Sequence, residues 1–75
     1  MVYPEGTLVM GKACGHGYPL KEYPMIVDTS IPENSSCPAI QDRQGHVLPG
    51  PWYVCRMEGP EKLEVIKHHR DLTRR

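Results

Sequence analysis

The sequence contains no phenylalanine, a single tryptophan and no uninterrupted apolar stretch near the roughly 18 residues a membrane helix needs. The opening residues, Met1-Val2-Tyr3-Pro4-Glu5, also lack the basic and apolar regions of a signal peptide. A soluble, cytoplasmic protein is the expectation. There is no excess of either charge: nine Lys and Arg balance nine Asp and Glu. Uniform basicity of the kind that marks a dedicated nucleic-acid domain is therefore missing. The three cysteines, Cys14, Cys37 and Cys55, are an odd number and include no Cys-x-x-Cys pair, so a complete disulfide framework is excluded. Reduced thiols are expected, with Cys55 in the run Trp52-Tyr53-Val54-Cys55 acting as a small hydrophobe.

Motifs that carry chemistry are equally sparse. Gly15-His16-Gly17 lacks the further glycine and the Lys-Ser/Thr that cradle a nucleotide phosphate. Zinc takes four Cys or His ligands, usually as two close pairs, whereas Cys14, His16, Cys37, His46 and Cys55 supply one such pair, Cys14-x-His16. That cysteine has a histidine two residues away and sits among glycines, but no orienting acid accompanies it as a nucleophile requires. His68-His69-Arg70-Asp71 spells part of a kinase catalytic loop without a nucleotide fold around it, and Glu58, Glu61 and Glu64 read as decoration of a turn. The reading is of a protein that is not an enzyme and has no cofactor and no metal.

What is present is β-forming. The 75 residues make one domain, and a chain of this size buries only about 60 to 65% of its unfolded surface, so a dimer interface or partner is expected to supplement its core. Prolines at 4, 19, 24, 32, 38, 49, 51 and 60 exclude long helices before residue 61. Between them lie short runs rich in Val, Ile, Tyr and Met, the pattern of strands joined by turns. Thr7-Leu8-Val9-Met10 predicts a first strand, Cys14 to Pro24 a long loop, and Met25-Ile26-Val27 a second strand. Residues 31–38 form a polar loop. Ala39-Ile40-Gln41 and His46-Val47-Leu48 flank Asp42-Arg43-Gln44-Gly45 as a hairpin. In the strand Trp52 to Met57, Trp52, Val54 and Arg56 share one face and Tyr53, Cys55 and Met57 the other, both expected to be covered. Leu63-Glu64-Val65-Ile66 pairs with it across Glu58-Gly59-Pro60-Glu61, and His68 to Arg75 makes a short helical turn with Leu72 folded back as a plug.

The balanced charge hides a gradient. Residues 1–61 hold seven acids and four bases, and residues 62–75 hold five bases, two acids and two histidines. The basic end, residues 67–75, reads as a solvated tail, with Asp71 pairing to Arg70 or Arg74.

The order of a Gly-initiated first strand, a long loop, further short strands, then Tyr53-Val54, a Gly-Pro turn, Leu63-Glu64-Val65 and a terminal leucine resembles SH3-like small β-barrels over about residues 6–73. The resemblance implies an all-β, five-stranded barrel. It leaves function open, because such barrels serve as peptide binders, nucleic-acid adaptors, chromatin readers and scaffold subunits. The chain departs from signalling SH3 domains in lacking an Ala-Leu-Tyr-Asp-Tyr opening. It also lacks the Val-Gln-Ile-Tyr stretch of the plasmid-type dihydrofolate reductases, having Leu63-Glu64-Val65-Ile66 instead. The first expectation is a non-enzymatic interaction module that binds a protein partner, or its own copy as an oligomer, through Tyr18, Tyr23, Trp52 and Tyr53. The alternative is a nucleic-acid accessory protein whose Arg43, Arg56, Lys67, Arg70, Arg74 and Arg75 face phosphates. Chains this small without targeting or catalytic motifs are common among mobile-element products, which makes such an origin part of the expectation.

Overall fold

The computed structural model describes residues 2–15, 17–59 and 62–75, and the backbone alone of residues 13–15 and 18. Five strands form one antiparallel sheet: β1 (Leu8–Gly15), β2 (Tyr18–Ile31), β3 (Trp52–Met57), β4 (Glu64–His68) and β5 (Leu72–Arg74). Their order across the sheet is β4-β3-β2-β1-β5. Short 3-10 turns occupy Pro38–Ile40 and His69–Asp71.

The first departure from the sequence reading lies at residues 14–24. Instead of a long loop, β1 and β2 form a continuous ribbon, with Met10 opposite Pro24, Lys12 opposite Glu22 and Gly15 opposite Tyr18. The two prolines that suggest a loop fall where they interrupt no ladder. Pro24 directs its carbonyl to Glu58 N–H at 3.2 Å, just past the last β2–β3 pair, so its missing donor also points away from β1. Pro19 falls where the β1–β2 register slips, between the pairs Ala13–Lys21 and Gly15–Tyr18, and has no partner of its own there. The expected Ala39–Leu48 hairpin is likewise reduced: Ala39 and Ile40 are in the 3-10 turn and a single bridge joins Gln41 to Val47. Its turn forms as expected, with Gly45 at φ 82° and Asp42 Oδ1 accepting from Gln44 N and His46 N, both at 2.9 Å.

β2 serves both halves of the sheet. Its N-terminal part pairs with β1 and its C-terminal part with β3, the two overlapping at Met25 and Ile26. The register slips between Val27 and Thr29, and this bulge exchanges faces: Met25 and Val27 point inward before it, and Thr29 and Ile31 point outward after it beside Val54 and Trp52. β4 and β5 lie at opposite edges of the sheet yet are joined by three residues. His68 shares a row with Trp52 and Ile31, and Leu72 shares one with Gly11 and Tyr23. On a flat sheet those rows would be roughly 26 Å apart along β2 and roughly 19 Å apart sideways. Four residue steps span at most about 14 Å, so the sheet must coil strongly on itself. No ladder joins β4 to β5 among the described residues, and the sheet stays open.

The concave side of this coil is the core. Val9, Met25, Val27, Tyr53, Cys55, Met57 and Leu72 are buried together, with Tyr3, Tyr23, Leu63 and Val65 packed at its margin. Leu72 plugs it as the sequence suggests, directly after the 3-10 turn, but goes on into β5, pairing opposite Gly11 of β1. The tail is not simply solvated. Arg75 donates from Nη2 to Glu58 Oε1 at 2.7 Å and to the Met25 carbonyl at 3.0 Å, and its N–H bonds the Leu8 carbonyl at 3.0 Å. Asp71 pairs with neither Arg70 nor Arg74: the ion pairs among the described residues are Arg75–Glu58 and His46–Asp42. No helix among the described residues is long and apolar enough to cross a membrane.

Candidate interaction surface

β3 separates the four aromatic candidates. Alternation buries Tyr53, Cys55 and Met57, while Trp52 and Val54 are half-buried and Arg56 is exposed on the opposite, convex face. That face is thus less covered than the sequence reading expects. Tyr53 is fully enclosed, which removes it from any contact surface. Its oxygen accepts from Tyr3 N–H at 2.9 Å and shares a hydrogen bond with His69 Nδ1 at 2.9 Å. The Tyr3 ring stacks on His69 at 4.5 Å. Tyr23 packs at the core margin in the row of Gly11, donates to the Pro19 carbonyl at 2.9 Å and has Lys21 Nζ 5.2 Å from its ring centre. Tyr18 and His16 carry side chains outside the described residues, as does Cys14. Of the four, only Trp52 is described on the convex face.

Around Trp52 that face is largely apolar. Directly opposed residues share a face, so the rows Ile31–Trp52–His68, Thr29–Val54–Ile66 and Leu8–Ile26–Arg56–Glu64 all point outward. Ile31, Trp52, Val54, Ile66 and Ile26 are each half-buried, and Leu8 is 47% exposed. At one end of this patch the segment between β2 and β3 is pinned across it. Trp52 Nε1 donates to the Leu48 carbonyl and His68 Nε2 to the Pro49 carbonyl, both at 3.1 Å, while the Trp52 and His68 rings meet edge to face at 4.8 Å. Donating from Nε2 fixes the His68 tautomer, leaving Nδ1 to accept Arg70 N–H at 3.1 Å. Val47 and Leu48 in the pinned segment remain 38% exposed and lengthen the apolar strip, while Ile40 is fully buried apart from the main core.

The six basic candidates do not form one face. Arg43 is at the exposed Asp42–Gly45 turn, Arg56 is on the convex face, and Arg74 is exposed on the edge strand β5. Arg75 is held by Glu58. Lys67 and Arg70 come together, and with them Lys12 of β1, which the run of basic letters at the C-terminus gives no reason to include. A second shallow depression of about 300 Å³ brings Arg56 and Lys62 beside Ile26, Met57, Glu58 and Gly59.

The thiols differ by environment. Burial pushes the Cys55 thiol up to about 11, against a smaller opposing pull from the Lys67 charge, so it stays protonated and inert at neutral pH. Cys37 is half-exposed in the 32–51 segment. No group of three or more metal-binding side chains occurs among the described residues. Comparison with protein families, with characterised proteins and with solved structures gives no match.

Proposed function

We propose that this chain is a small non-enzymatic interaction module of the SH3-like barrel type, acting in the cytoplasm, which docks a protein partner or a second copy of itself on the convex β2–β3–β4 face. The strand order β4-β3-β2-β1-β5, with a 3-10 turn between the last two strands, supports the architectural part of this reading.

The observation that carries the functional part is the apolar strip on the outside of the coil. Trp52, Val54, Ile66, Ile31 and Ile26 lie on adjoining rows and are each half-buried, with the segment between β2 and β3 pinned over the Trp52 end. A contiguous apolar patch rimmed by polar groups, here Arg56, Glu64 and His68, has the anatomy of a protein-docking surface. Trp52 would serve as its aromatic anchor.

The test is the solution mass by light scattering at low and high salt, alone and with candidate partners, for the wild type and for Ile66→Lys. This substitution places a charge in the middle row of the strip, on the edge strand β4, and leaves the core residues unchanged. The reading expects an association that persists at high salt, because it is apolar, and that Ile66→Lys abolishes while far-UV circular dichroism is unchanged. A monomer with no salt-stable partner, or an association indifferent to Ile66→Lys, would overturn it.

A further inference from the structure

We infer that Lys12, Lys67 and Arg70 form a binding site for a phosphate group carried on a small hydroxyl-bearing ligand. The three cations reach one depression of about 320 Å³ from β1, β4 and the turn that follows β4, and Glu22, Asp71 and Thr73 complete its lining. Lys12 is 55 residues from Lys67 and 58 from Arg70 in the chain, so it is the coiling of the sheet that assembles them. None of the three makes an ion pair or a side-chain hydrogen bond to another described residue, although Glu22 and Asp71 line the same space. Lys67 is half-buried, on β4 directly across from the enclosed Tyr53. Glu22, opposite Lys12 in the β1–β2 ladder, and Asp71 border the depression without forming an ion pair to any of the three, so the cations keep their donors for a ligand.

The chemistry of the lining defines the ligand. Two lysines and a guanidinium surround a phosphate oxygen set well, the guanidinium by a planar fork and the ammonium groups as point charges. Thr73 adds a hydroxyl donor. The two carboxylates make the net charge of the site only +1, which disfavours a highly charged polyanion and offers acceptors for ligand hydroxyls. The volume suits a ligand at the small end of the usual range. A phosphorylated sugar, free or at a nucleotide, combines these features. The inference is independent of the convex-face reading, since it uses none of the residues in that strip.

The experiment is an amide NMR titration of the whole chain with inorganic phosphate, with ribose 5-phosphate and with an oligonucleotide lacking a terminal phosphate. The expected result is saturable shifts at Lys12, Lys67, Arg70 and Thr73, with ribose 5-phosphate tighter than inorganic phosphate. Lys12→Ala and Arg70→Ala, both at exposed positions, should each weaken ribose 5-phosphate by about tenfold with the rest of the spectrum in place. Asp71→Asn should strengthen inorganic phosphate and narrow the advantage of the sugar phosphate. Tighter binding of the oligonucleotide at the same amides would identify the phosphodiester of a nucleic acid as the source of the phosphate. Absence of saturable shifts with all three probes, or shifts that Lys12→Ala and Arg70→Ala leave unchanged, would overturn the site.

Discussion

Tyr53 and Cys55, two residues apart on β3, show how burial redirects chemistry that looks available in sequence. The Tyr53 hydroxyl is the meeting point of the N-terminal segment and the last turn, accepting from Tyr3 N–H and hydrogen-bonded to His69 Nδ1. Tyr53→Phe keeps the ring but strands both partners, and is expected to lower stability by about 1 to 2 kcal/mol in urea unfolding. A loss no larger than that of an ordinary surface substitution would mean that water replaces the hydroxyl there. Cys55 is silent for a different reason: a thiol whose pKa is about 11 presents almost no thiolate at neutral pH. Brief alkylation of the native protein at pH 8, read by peptide mass mapping, should modify Cys37 and spare Cys55. In denaturant both should react. Labelling of Cys55 under native conditions would show that the core opens far more readily than its packing implies.

At the scale of elements, the β1–β5 contact leaves no room for a side chain at Gly11. A Cβ built on Gly11 would lie 2.8 Å from Leu72 Cδ2 and 3.2 Å from Met25 Sδ, and both side chains are buried. Gly11→Ala therefore overpacks the plug and should cost about 1 to 3 kcal/mol. Leu72→Ala opens a cavity and should cost about 2 to 5 kcal/mol. Because the new methyl would enter the space vacated by Leu72, the double variant should be less destabilised than the sum by about 0.5 to 3 kcal/mol. Strict additivity in a denaturation cycle would show that the two residues do not meet. The same elements mark where the sequence was readable. The period-2 pattern of Trp52–Met57 separated the two faces but not which of them is enclosed, and Leu72 after a break read as a plug. The 14–24 ribbon was hidden because Pro19 and Pro24 count as breakers until the first is seen to fall at a register slip and the second just past the end of β3 pairing. Lys12 was invisible as a partner of Lys67 and Arg70 for a related reason: nothing local encodes how far the sheet coils. The bulge after Val27, which turns Ile31 outward beside Trp52, leaves no distinctive residue behind either.

For the whole molecule, Glu58 and Cys55 make stability depend on pH with opposite signs. Arg75, hydrogen-bonded to Glu58, holds the Glu58 carboxyl below the usual carboxylate range and fastens the C-terminus to the β2–β3 end of the sheet. A carboxyl with a depressed folded-state pKa contributes stability that is present above its unfolded value, about 4.3, and lost as pH falls through the folded one. Cys55 works at the other limit. Its folded-state pKa is raised to about 11, so its contribution is intact below the unfolded value, about 8.5, and declines as pH rises towards the folded one. Thermal unfolding followed across pH should therefore give a plateau falling off at both ends. Glu58→Gln should flatten the acid limb and leave the alkaline limb in place, and Cys55→Ala should do the reverse while lowering the plateau through lost packing. Since the Arg75 guanidinium bonds the Met25 carbonyl and Glu58 together, Arg75→Ala should reproduce the flattened acid limb and also release the C-terminus from β2, while its backbone bond to Leu8 stays. An acid limb unaffected by both Glu58→Gln and Arg75→Ala would place the acid sensitivity in other carboxylates and reduce the C-terminal clasp to a surface contact of the kind worth little in water.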